Sequence, residues 1–138
     1  MITRDDFLVE WVKALRSGEF AQTTDVLGEH GTNRRCCLGV ACEVYQRLGG
    51  ELEVEQDTYT VREGWDVRHA ISYDGEVQSL PEKVCRVLEV EHPSVAVLSH
   101  DHGFSYLTEL NDFGKSFAEI ADIIEENAFV GEGATDEG

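Results

Sequence analysis

Three short stretches carry the side chains best suited to chemistry. Arg34 and Arg35 stand directly before the apolar run Cys36-Cys37-Leu38-Gly39-Val40-Ala41-Cys42. Arg68 and His69 follow Trp65, and Asn111, Asp112 and Lys115 precede a final amphipathic stretch. Arginine forks grip phosphate oxygens, free N–H groups at a helix start attract anions, and an aromatic ring can stack on a base. Together these residues suit a pocket for a small phosphate-bearing ligand such as a nucleotide, which the chain would bind without altering. Each has a plainer reading: the arginines pair with nearby acids, and Trp65 and Phe113 belong to the core.

Other chemistry finds less support. There is no nucleophile elbow, and no histidine that sequence can assign to Cys36 or Cys37, so a hydrolytic triad is not expected. Gly28, Gly31 and Gly39 fit neither a P-loop nor a dinucleotide fingerprint. His100-Asp101-His102 has metal-ligand spacing but no third ligand close by, and the four cysteines lack paired C-x-x-C knuckles. The expectation is therefore no enzyme, no metal and no cofactor, with thiols that act as small hydrophobes.

Composition narrows the partners. The 138 residues include 28 acids against 11 lysines and arginines, a formal charge of −17. Such a surface repels nucleic-acid phosphates and can steer the protein toward a basic protein. That gives a second reading: an acidic inhibitor or nucleic-acid mimic that blocks a basic host factor. No run of apolar residues is long enough to span a membrane, and no signal sequence opens the chain, so a cytoplasmic location is expected. Homo-oligomer formation stays open.

The elements that must hold these residues read as follows. Thr3 caps a helix whose stripe is Phe7, Leu8, Trp11, Val12 and Leu15, and Gly18 ends it. A loop over 17–35 delivers the two arginines to a central helix with Cys37, Val40, Ala41, Val44 and Leu48 on one face, stopped by Gly49-Gly50. Residues 51–79 carry the strand signals, with a turn expected at Gln56-Asp57 and a tight hairpin at Asp74-Gly75. Ser79-Leu80-Pro81-Glu82 reads as a capping box opening a short helix that ends near Val90. An extended piece follows at Val95, Val97 and Leu98, then a helical turn capped by Ser105. Ser116 and Glu119 form a capping box for the last helix, with Phe117, Ile120, Ala121 and Ile124 inward. These elements predict one α+β domain over 1–129, with about four helices and a small antiparallel sheet of hairpins, and a disordered acidic tail over 130–138.

Three segments together resemble a family of small proteins encoded by bacteriophages and prophages. They are Trp11-Val12-Lys13-Ala14-Leu15-Arg16-Ser17-Gly18 with Gln22 nearby, Cys36-Cys37-Leu38-Gly39-Val40-Ala41-Cys42, and the run from Leu110 through Asn111-Asp112-Phe113-Gly114-Lys115-Ser116 to Asp122. The likeness runs from about residue 11 to 125 and does not cover 51–79. It implies a role in host takeover or in defeating host defences.

Overall fold

The computed structural model describes residues 2–61, 66–99 and 103–126. Helix α1 spans Arg4–Ser17 and starts as its sequence dictates: the Thr3 side chain accepts from the Asp6 N–H at 3.1 Å, and Gly18 leaves the helix in the left-handed region. It buries Phe7, Trp11 and Leu15 against the rest of the chain. Trp11 anchors it further, since its indole N–H donates to the Cys37 carbonyl at 3.0 Å.

Helix α2, Cys37–Arg47, is the hub. Cys37, Leu38, Val40, Ala41, Cys42 and Val44 are all buried on it. It packs against α1, against α3 (Glu82–Leu88) and against α4 (Leu107–Asp112). Helix α5, Phe117–Glu126, lies on α1. Gly39 explains how the hub is approached so closely. A Cβ there would stand 1.8 Å from the Leu27 carbonyl oxygen, so any side chain would push the 27–28 backbone off the helix. Cys36, Cys37 and Cys42 are buried thiols in this core. Burial pushes all three up, Cys36 to about 11, so they stay protonated at neutral pH.

Among the described residues the strands form three two-stranded ladders. Strand β1 (Ala21–Gln22) pairs with β2 (Arg34–Arg35) in parallel. Strands β3 (Val54–Val61) and β4 (Asp66–Tyr73) pair antiparallel from Val54↔Tyr73 to Val61↔Asp66. Strands β5 (Ala96–Ser99) and β6 (Gly103–Tyr106) form a second antiparallel hairpin. The α+β, single-domain expectation holds, with five helices among the described residues.

Several local expectations are corrected. Gln56-Asp57 is not a turn, because β3 runs straight through it: each residue finds a ladder partner, in Ile71 and Ala70. Asp74-Gly75 is the tight turn expected, with both residues at positive φ and Tyr73 and Glu76 bonded to each other across it. It carries no longer hairpin, because the Val77 carbonyl accepts instead from the Leu27 N–H at 2.6 Å. Ser79 does not cap α3. Pro81 occupies the cap position without a side-chain bond, and the Ser79 hydroxyl turns to Glu76 at 3.4 Å. Ser105 lies in β6, and Tyr106 rather than Ser105 precedes α4. At α5 the reciprocal box is present, with Ser116 N–H to Glu119 at 2.9 Å and Glu119 N–H to Ser116 at 3.1 Å. His100, His102 and the tail over 130–138 lie outside the described residues.

Candidate functional site

Several of the expected ligand residues meet around residues 22–29, at the end of β1 and in the loop that leads from it to β2. Asn111 is its buried pin, 1% exposed. The amide nitrogen of Asn111 donates to the Thr23 carbonyl at 2.8 Å, and its oxygen accepts from the Cys37 N–H at 3.1 Å and from Gln22 at 2.9 Å. Gln22 also donates to the Lys115 carbonyl at 2.7 Å. One amide thus ties β1, the start of α2 and the end of α4 together. Its amide oxygen and nitrogen are both engaged inside the protein.

Asp112 continues the pin outward. Its carboxylate accepts from the Asp25 N–H at 3.1 Å. Burial raises its affinity for a proton, and bonds from Asp25 and Asn111 only partly offset that. Lys115 has its ammonium 4.0 Å from Glu119.

The arginines form the second half of the knot. Arg68, on β4, donates to the Thr24 carbonyl at 2.8 Å, the Thr23 hydroxyl at 2.7 Å and Glu29 at 2.6 Å. Arg34 meets the same Glu29 at 3.2 Å. Burial pushes the Glu29 carboxyl up, but bonds from Arg68 and Thr23 and the two positive charges outweigh it and hold it below the usual value. Arg35 bonds Glu43 at 3.2 Å, and Tyr73 donates to the same oxygen at 2.6 Å.

The two arginines therefore do not serve the N-terminus of α2. They sit one strand earlier, in β2, and the Arg35 guanidinium reaches forward to Glu43, within the helix. Two N–H groups at the helix start are already engaged: Cys36 Sγ accepts from Gly39 N–H, and Asn111 takes the Cys37 N–H. His69 is exposed and stands 3.5 Å from the Gln56 amide nitrogen, apart from the knot. Trp65 lies outside the described residues. Of the eight expected contacts, Arg34 and Arg68 meet on one acid, Asn111 and Asp112 join them through Thr23 and Asp25, and His69 stays separate.

Beside the knot opens a cleft of about 350 Å³ lined in part by Asp25, Asp112, Gln78, Ser79 and Thr108. No arginine or lysine is among its described lining residues. A larger groove, about 540 Å³, runs along α3. Glu76, Glu82, Glu89 and Glu91 rim it, all exposed, and Cys85, Val90 and Pro93 give it a half-buried apolar floor. Arg86 is the cation among its described lining residues, and it pairs with Glu82 at 2.7 Å. The sequence reading missed this groove. Its signal was present all the same: acids at 82, 89 and 91 bracket the short run Val84-Cys85-Arg86-Val87-Leu88, apolar except for Arg86. Among the described residues no group of three His, Cys, Asp or Glu side chains is placed to hold a metal ion, and no helix is long and apolar enough to cross a membrane.

The chain belongs to the family described as Domain of unknown function (DUF8296), whose model matches residues 5–128. No curated protein and no solved structure matches the chain.

Proposed function

We propose that this chain is a non-enzymatic accessory protein that acts by presenting an acidic surface to a basic partner protein. The observation that carries the reading is the disposition of charge. Arg34, Arg35 and Arg68 are engaged by Glu29 and Glu43 within the fold, while the groove along α3 keeps four exposed carboxylates against one guanidinium among its described lining residues. The formal charge of −17 adds long-range attraction for a basic protein and repulsion for a phosphate. The likeness to phage-encoded proteins supports a host defence factor as that partner. Capture of a nucleotide, the other reading of the sequence, would compete with the bonds that hold Arg35 to Glu43 and Arg68 to Glu29.

The test sets the two against each other. Calorimetric titration with cyclic and linear nucleotides should give no heat, while a lysine-rich polypeptide binds at low salt and is released as salt rises. Arg34→Ala with Arg35→Ala should leave the polypeptide as tightly held or tighter. Heat with a nucleotide that this double variant abolishes would overturn the proposal, and release of a cleaved product would make the protein an enzyme.

A further inference from the structure

We infer that the groove along α3 is the docking site for a basic amphipathic helix of the partner. This rests on the reading that the partner is basic and adds where it binds and in what form. Two properties of the groove select this occupant. Its apolar floor, with Cys85, Val90 and Pro93 half-buried, leaves hydrocarbon that a purely ionic ligand would not cover. Its rim puts Glu82 at the start of α3, Glu89 just past its end and Glu91 beyond. A helix that lays apolar side chains at i, i+3 and i+4 on such a floor brings its flanking lysines and arginines to the rim. The cleft beside Asp112 lacks this combination. It is lined mainly by hydroxyls, an amide and two carboxylates, and the Asp112 carboxylate is already bonded to the Asp25 N–H.

The groove end is also built at a cost to the fold. Glu89 closes α3 in the left-handed region, at φ 60°. Its N–H donates to the Arg86 carbonyl at 3.2 Å, and the Val90 N–H donates to the Cys85 carbonyl at 3.1 Å. Glycine suits that closing position and glutamate does not. The residue present gives up some helix stability and sets a carboxylate on the rim.

Cys85 supplies a direct readout, because it is the half-exposed thiol on the groove floor while Cys36, Cys37 and Cys42 are buried. The probe is a synthetic leucine–lysine peptide with helical periodicity, alongside a scrambled peptide of the same composition. The periodic peptide should protect Cys85 from alkylation and bind more tightly than the scrambled one. Glu89→Gln with Glu91→Gln should weaken it by about tenfold, while Glu55→Gln with Asp57→Asn on β3 should change it less than about twofold. Glu89→Gly should raise the melting temperature and weaken binding together. If both peptides bind equally, both variant pairs weaken them equally and Cys85 stays reactive, the groove proposal is overturned while the basic-partner reading survives. If neither peptide binds at low salt, both are overturned. A lower melting temperature for Glu89→Gly would assign Glu89 to the fold and overturn its role at the rim.

Discussion

The polar groups around Asn111 and those around α3 stand in opposite relations to the protein that carries them. Around Asn111, donors and acceptors are matched within the chain: Gln22, Thr23, Cys37, Arg68, Glu29 and Asp112 all find partners across long sequence separations. Along α3, the Glu89 and Glu91 carboxylates stand exposed with no lysine or arginine of the described residues paired to them. The sequence reading singled out the charged and amide side chains of the first region and passed over the acids of the second. Only in the second are such groups left for something else to meet. A polar residue is a candidate contact when the fold has not already satisfied it, and residue type alone does not reveal this.

Breaking the knot should have the largest effect. Asn111→Ala strands the Cys37 N–H and the Thr23 carbonyl in a buried site, each of which costs about 1–3 kcal/mol when unpaired. We expect a loss of about 3 kcal/mol or more in urea unfolding. A loss under about 1 kcal/mol would mean that the knot is not structural and would dissolve the contrast.

Arg68→Met should come next, at about 2–3 kcal/mol, because it leaves Glu29 without its closest cation. Acid sharpens this prediction. The Glu29 carboxyl is held below its usual value in the folded protein, so its contribution is present above the usual carboxylate pKa and is lost as pH falls through the lowered folded value. In the variant the Arg68 share of that depression is removed, while Thr23 and Arg34 still act on Glu29. Melting temperatures taken from neutral pH down to about pH 3 should therefore converge. A gap that widens on acidification would show that the Arg68 contribution does not run through Glu29.

Ser116→Ala should cost about 1 kcal/mol by removing the hydroxyl that caps α5, which leaves only the bond from the backbone N–H at position 116 to Glu119. Unchanged thermal unfolding would show that the cap bond is not stabilising. The smallest effect belongs to the groove: Glu91→Gln should stay within about 0.5 kcal/mol of the parent. A loss comparable to that of Asn111→Ala would mean that the groove carboxylates also serve the fold.

Helix ends and inward faces were legible because they are written locally. Thr3 with Gly18, Ser116 with Glu119, and the small-residue face of Cys37, Val40, Ala41 and Val44 all act over one to three turns. Asp74-Gly75 was legible for the same reason. Ser105 reads as a helix cap but lies in β6, and two further local signals misled. Gln56-Asp57 looks like a turn, but a ladder of eight paired positions overrides weak strand propensity. Ser79 and Glu82 match a capping box, but Pro81 takes the cap position and leaves Ser79 two residues short of it. Partner choice was not legible. Arg68 lies 39 residues from Glu29, and Asn111 lies 74 from Cys37. No period or spacing encodes a match over that distance.

The packing of α1 on α5 has a consequence for the order in which the molecule can be finished. Arg16 on α1 bonds Asp122 and Glu125 on α5, and α5 lies against α1. A ribosome adding about 5–20 residues per second needs roughly 5–20 s to travel from the end of one helix to the start of the other. Through that interval α1 can lean on α2 and then α3 but lacks α5. The contact between α1 and α5 thus closes late, and a nascent chain that stalls short of residue 117 leaves that side of α1 open to chaperones or to other chains.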